Sequence, residues 1–131
     1  MDIFVGIDAG TTGATVALFD ENGSEIANGY QEYSCMYPHP GWVEQNMEEV
    51  WEGICKASQL ALNYSVNHKG ATIRSIGFSS QRGTFALLDE NEKLLGPAVV
   101  WSDSRTKKVE EKLRQLFPDE RYRAITGMLI S

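Results

Sequence analysis

The segment Gly6-Ile7-Asp8-Ala9-Gly10-Thr11-Thr12-Gly13 follows directly on a run of strand-forming residues, and Ala14 to Phe19 behind it reads as strand again. A carboxylate closes the first strand, and a turn of glycines and hydroxyls leads back into the second. Such a turn offers exposed amides and two hydroxyl donors, a layout that can hold a metal-bound polyphosphate. It carries no lysine and enters a strand rather than a helix, so it is neither a Walker-type loop nor a Rossmann unit. Asp8 by itself is open to two readings. It could anchor magnesium beside phosphates, or close the hairpin through an Asx-turn.

Asp20-Glu21-Asn22-Gly23 is a turn signal, and Ser24 to Tyr33 is expected to form a third strand, completing an antiparallel meander. Tyr37 to Trp42 is a loop, because two prolines and a glycine forbid regular structure there. Asn46 is expected to cap a helix, with Glu49 completing a capping box. Met47, Val50, Trp51, Ile54, Ala61 and Leu62 fall on one apolar face of it. The helix is expected to fade between Asn63 and Gly70. Strands are predicted at Ile73 to Ser79 and Thr84 to Leu88, with a short strand-like run at Pro97 to Trp101. Ala17-Leu18-Phe19-Asp20-Glu21-Asn22 is echoed by Ala86-Leu87-Leu88-Asp89-Glu90-Asn91, which reads as shared turn chemistry rather than a repeat. Asp103 can cap a second helix with Val109, Leu113, Leu116 and Phe117 on one face and a Glu110–Arg114 pair outside. Pro118 stops that helix, and a last helical turn from Glu120 to Ile125 ends at Gly127. The apolar end at Ile130-Ser131 leads us to expect further sequence.

At 131 residues, 42% hydrophobic and 23% charged, this is a globular composition of single-domain size. The formal charge of −6 argues against nucleic acid or an anionic membrane as partner. An anionic ligand must therefore be held by local geometry. Cys35 and Cys55 fit no zinc spacing, and free thiols are a better match than a disulfide. His39 and His68 stand apart, in surface or capping roles rather than as metal ligands. No signal peptide, transit peptide or membrane-length segment is visible, so a soluble cytoplasmic protein is expected.

The opening octet resembles the first phosphate motif of the actin-like, ribonuclease H-like ATPase superfamily. Three later segments narrow the resemblance. His39-Pro40-Gly41-Trp42-Val43-Glu44-Gln45, Ile76-Gly77-Phe78-Ser79-Ser80-Gln81-Arg82-Gly83-Thr84, and Pro97-Ala98-Val99-Val100-Trp101-Ser102-Asp103-Ser104-Arg105-Thr106 resemble segments of the FGGY carbohydrate kinases, in the family's order. The match covers residues 1–131 as part of an N-terminal domain, complete members being several times longer. It implies an α/β, ribonuclease H-like (actin-like ATPase) domain, here incomplete. A mixed sheet would begin with the meander and carry helices packed on it. It also implies ATP and Mg2+ as cofactors and a sugar or polyol as partner, and it leaves a homodimer of the complete protein open.

Under that resemblance Asp8, Gly10, Thr11, Thr12 and Gly13 would serve the nucleotide phosphates, with Asp8 on the metal. Gln81, Arg82, Gly83 and Trp101 would lie at the acceptor hydroxyls, Arg82 gripping neighbouring oxygens with its fork of donors. Trp101 is equally open to a core role. Asp103 and Arg105 read as a structural pair or cap beneath the site rather than as direct contacts. Two departures stand out. Glycerol kinases carry glutamate where this chain has Gly83, and arginine where it has Thr15. Xylulokinases place methionine-histidine at Arg82-Gly83, so neither specificity is supported. The family's general-base aspartate lies downstream of these residues, and Asp20, Asp89 and Asp103 are wrongly placed to replace it. The chain alone is therefore expected to be inactive. Two alternatives are a non-catalytic interaction or regulatory module with the same fold and a chaperone or actin-like ATPase segment. The acceptor-like segments count against the second.

Overall fold

The computed structural model describes residues 1–63 and 70–130. In chain order its elements are β1 (Asp2–Ala9), β2 (Gly13–Phe19), β3 (Glu25–Glu32), β4 (Glu44–Gln45), α1 (Met47–Leu62), β5 (Thr72–Ser80), β6 (Ala98–Val99), α2 (Lys107–Leu116) and α3 (Asp119–Thr126). The meander forms as expected, and β5 adds to β1 in parallel, giving the order β3-β2-β1-β5. Asp8 thus lies opposite Thr15 on one side and Ser79 on the other.

Alternation along the strands sets the core. Ile3, Val5 and Ile7 of β1 and Ala14, Val16 and Leu18 of β2 are buried on one face, against Val50, Ala57 and Ala61 of α1. The closest approach of helix to sheet uses small residues. A Cβ on Gly29 would collide with the Ala57 carbonyl and come within 2.7 Å of Leu60 Cβ and 2.8 Å of Ala61 N. α1 packs over β2 and β3 and only touches β1. Every residue of β5 is consequently exposed, including Ile73, Ile76 and Phe78, which pair with the buried Ile3, Val5 and Ile7.

Local turn chemistry follows the sequence. Asp20 Oδ1 accepts from the amides of Asn22 and Ser24, and Asp89 Oδ1 from those of Asn91 and Lys93, all at 2.8 Å. Asn46 caps α1 by accepting from Glu48 N at 2.9 Å, and Gly127 ends α3 with φ 73°.

Several expectations are corrected. Glu49 does not close a capping box; its carboxylate accepts from the amide and hydroxyl of Ser34 beyond β3. Trp51 is exposed, because it sits one residue, or about 100°, around the helix from Val50 on the buried stripe. Thr84 to Leu88 is no strand: it makes single bridges, Phe85 to Val99 and Leu88 to Leu94, around the Asp89 turn. The Pro97 to Trp101 run narrows to β6, whose partner β4 was not foreseen. Val109, Leu113 and Leu116 are exposed, and Arg114 pairs with Asp119 at 3.4 Å instead of Glu110. The fading of α1 is described only to Asn63, and His68 lies outside the described residues.

Asp103 is not a helix cap; α2 starts after Thr106 without a side-chain cap. Its carboxylate, 2% exposed, accepts from Arg105 N, Nε and Nη2 and from Val43 N, all between 2.7 and 2.9 Å. Arg105 Nη2 also reaches Glu44 Oε1 at 2.9 Å, and the guanidinium stacks 3.8 Å above the Trp42 ring. This knot fastens the Trp42 loop to the segment carrying Trp101. The structural-pair reading of Asp103 and Arg105 is the one observed.

Two outcomes follow from this packing. Gly29→Ala should lower stability by about 2 kcal/mol or more in equilibrium urea unfolding, the scale of overpacking a tight contact; an unchanged midpoint would contradict the close approach. The Arg105 guanidinium holds the Asp103 carboxyl far below the usual carboxylate range, against the opposing effect of burial. A depressed acid stabilises the fold above its unfolded value and loses that contribution as pH falls through the folded one. The stability difference between the native chain and Asp103→Asn should therefore be flat above about pH 5 and shrink only below it. A difference that grows on acidification would be inconsistent with the knot.

Candidate functional site

The turn between β1 and β2 is held by its carbonyls. Gly10 O accepts from the Tyr33 hydroxyl at 2.7 Å, Thr11 O from Gln45 Nε2 at 2.6 Å, and Thr12 O from Tyr33 N at 3.2 Å. All peptide bonds in the described chain are trans, so each N–H points opposite to the carbonyl before it. With those carbonyls turned into the protein, the amides of Thr11, Thr12 and Gly13 turn the other way. Those of Thr11 and Thr12 take no partner among the described residues. Gly13 is required by crowding: a Cβ there would come within 2.6 Å of the Tyr30 hydroxyl and 2.7 Å of Gln31 O. Thr12 is exposed and its hydroxyl makes no hydrogen bond among the described residues, whereas the Thr11 hydroxyl is engaged.

That engagement joins the turn to the loop after β5. Gln81 N donates to Ala9 O at 3.0 Å, which seats the loop beside the turn. Thr11 Oγ1 donates to Gln81 Oε1 and accepts from Trp101 Nε1, both at 3.0 Å. Gln81 Nε2 donates to Gln45 Oε1 at 2.7 Å. Trp101 is 60% exposed, so it is a surface aromatic tethered by its indole nitrogen and not a core residue. Gly83 adopts φ 82°, a conformation that disfavours side chains, and a Cβ there would lie 3.3 Å from Trp101 Cβ. Arg82 is exposed and makes no hydrogen bond or ion pair among the described residues.

Asp8 is exposed at the end of β1, on the sheet face opposite α1. It borders a hollow of about 400 Å³ floored by Gly6, Ala17 and Gly77. Burial raises the Tyr33 phenol above its ordinary pKa, and the negative charge of Asp8 adds to this. Among the described residues no three His, Cys, Asp or Glu side chains converge as a metal site. A single carboxylate suits magnesium, which takes one or two protein carboxylates and fills its shell with phosphate oxygens and water. Both cysteines are free, and no helix of the described residues is long and apolar enough to cross a membrane.

The turn residues, Gln81, Gly83 and Trp101 are thus brought together, while Arg82 stands exposed at their edge. Sequence reasoning missed Tyr33 and Gln45, which hold the turn from behind. Their neighbours in sequence give no signal of it, since both partners are distant in the chain.

Residues 3–131 match the model of the FGGY family of carbohydrate kinases, N-terminal domain. The glycerol kinase of Leptospira biflexa is 38% identical over 128 residues, covering 96% of this chain and 25% of that protein. That of Aquifex aeolicus is 36% identical over 132 residues, covering 99% of this chain and 26% of that protein. The chain therefore spans about a quarter of the length of these relatives. A xyloylose (xylulose) kinase structure from Brucella ovis superposes with TM-score 0.87 at 29% identity, over 98% of this chain and 26% of that one. Plasmodium falciparum glycerol kinase with ADP gives TM-score 0.92 at 21% identity, over 100% of this chain and 26% of that one, a likeness of fold. The mixed sheet, in the order β3-β2-β1-β5, is thus a fold shared with these kinase structures. On the sequence match and the shared fold together, this chain belongs to the FGGY family of carbohydrate kinases, whose N-terminal-domain pattern it carries from residue 3 to 131.

Proposed function

We propose that the full-length protein carrying this chain is an ATP-dependent kinase that transfers the γ-phosphoryl group to a hydroxyl of a sugar or polyol. The observation that carries this is the contact of the phosphate-type turn with the acceptor-type loop, through Thr11, Gln81 and Trp101. Phosphoryl transfer is largely a matter of positioning and charge neutralisation. A turn that aims free amides outward supplies the second, and a loop fixed beside it supplies the first.

In this reading the amides of Thr11, Thr12 and Gly13 and the Thr12 hydroxyl bind phosphate oxygens, with Gly10 shaping the turn. The Thr11 hydroxyl has its proton committed to Gln81, so its role is to connect rather than to donate to phosphate. Asp8 would hold Mg2+, which when bound neutralises phosphate charge. Arg82, which makes no hydrogen bond or ion pair among the described residues, grips acceptor hydroxyls, and the exposed Trp101 ring packs against the acceptor's apolar side. Gly83 leaves room beside Trp101 and, with φ 82°, resists the glutamate that glycerol kinases carry there. The acceptor contacts therefore differ from theirs.

The proton of the acceptor hydroxyl needs a base. Asp20 and Asp89 are bound to turn amides and Asp103 to Arg105, so none is available. The 131-residue chain by itself should release no ADP.

The test is ADP release by the full-length protein with ATP, Mg2+ and a panel of polyols, ketoses and aldonates. At least one acceptor should be phosphorylated, and Asp8→Asn should lower kcat by about a hundredfold, the scale of losing one preorganised charge-stabilising group. An inert wild-type protein across the panel would favour the non-catalytic module instead. Full activity in Asp8→Asn would remove Asp8 from the metal.

A further inference from the structure

We propose that Gln45 is a positioning residue that sets the phosphate turn against the acceptor loop, a role that rests on the kinase reading above. Gln45 is wholly buried on β4. Its amide is one member of a closed ring of hydrogen bonds: Thr11 Oγ1 to Gln81 Oε1, Gln81 Nε2 to Gln45 Oε1, and Gln45 Nε2 to Thr11 O, at 3.0, 2.7 and 2.6 Å.

The direction of every bond in this ring is forced by its chemistry. The Thr11 carbonyl can only accept, so Gln45 must turn its NH2 group to it. That leaves Gln45 Oε1 for Gln81, which must answer with its own NH2 group. Gln81 Oε1 then faces the Thr11 hydroxyl, which must donate. The Trp101 indole can only donate, and it meets the remaining lone pairs of that hydroxyl. Reversing either amide would set two acceptors or two donors face to face. The ring is therefore either closed or broken, with no third arrangement.

A buried amide is costly to desolvate unless both ends are bonded, and a leucine or methionine would fill the same space without that cost. What the amide adds is a link between two places only: the peptide unit whose N–H faces the phosphate side, and the loop that carries Arg82. Closing the ring fixes where Trp101 and Arg82 stand relative to the amides of Thr11 and Thr12. That is the relation an in-line transfer requires, and it is felt in the transition state more than in the binding of either substrate alone.

The experiment uses the full-length protein with Gln45→Met, which keeps length and volume and removes the ring. With the best acceptor among glycerol, D-xylulose and D-gluconate, kcat should fall about tenfold to a hundredfold, while KM for ATP and for the acceptor each change less than about threefold. Gln45→Glu should be impaired at neutral pH and recover as pH is lowered, because a protonated carboxyl again has one donor and one acceptor. Thr11→Val should not worsen Gln45→Met further in the double variant, since either change opens the ring. In ligand-free protein, the Trp101 indole N–H resonance should shift in Gln45→Met.

A resonance that stays put in Gln45→Met overturns the ring, whether or not any acceptor reacts. A loss confined to KM, with kcat intact, overturns the positioning role. If wild type phosphorylates no acceptor, the kinase reading falls and takes the positioning role with it, while the indole resonance still decides whether the ring exists. Should Gln45→Met fail to fold, Gln45→Glu across pH supplies the same decision: activity that does not rise on acidification sinks the proposal.

Discussion

A turn that aims amides at solvent has to give its carbonyls something better to do. Here Tyr33 and Gln45 take them, and the rest of the site follows from that inward pull. Neither group is near the turn in sequence. Tyr33 arrives because β3 completes the meander beside β2, and Gln45 because β4 pairs with β6. The phosphate-type turn is thus a product of the whole sheet arrangement rather than of its own glycines. Among the turn's glycines, Gly13 is demanded by crowding against Tyr30 and Gln31, and neither it nor Gly10 takes a positive φ.

The chain carries a net charge of −6, yet the features gathered at this end of the sheet are amides, hydroxyls and the exposed Arg82 guanidinium. Its nearby acids are largely spoken for: Asp103 and Glu44 are satisfied by Arg105, and Glu49 by Ser34. Asp8 is the one carboxylate among the proposed site residues, and its side chain takes no hydrogen bond or ion pair among the described residues, which is what a cation-bridged anion would require. Local dipoles can outweigh the bulk field because that field is screened within about 8–10 Å at ordinary ionic strength.

What could be read from the sequence was what is local. The Asp20 and Asp89 turns, the Asn46 cap and the Gly127 stop each involve partners within a few residues, and each was legible. Glu49 and Asp103 have the look of helix caps and Arg114 of a partner for Glu110, yet Glu49 bonds to Ser34, Asp103 to Arg105 and Val43, and Arg114 to Asp119, because the surrounding packing offers them better geometry. β4 is too short to carry a pattern, and its partner lies far along the chain. The turn from Asp8 to Gly13 was legible as a phosphate candidate from its own glycines and hydroxyls, whereas Gln81, Arg82, Gly83 and Trp101 were legible as candidates only through resemblance to a family. The ring through Gln45 was not, since nothing in a run of residues shows which amide faces which. Trp51 misled for a further reason: a large apolar side chain draws the eye, while the contact is made by Gly29, Ala57 and Ala61.

Parallel strands are ordinarily covered on both faces, yet β5 is exposed along its length and, among the described residues, has β1 as its only ladder partner. Ile73, Ile76 and Phe78 stand exposed on it. An open edge of this kind is a template for any other extended chain, including a second copy. For anyone handling the 131-residue polypeptide in isolation, colloidal behaviour would therefore be governed by this strand. Concentration, rather than temperature, would set the practical limit, and a lysine introduced on the outer face of β5 would do more for its keeping than any strengthening of the core.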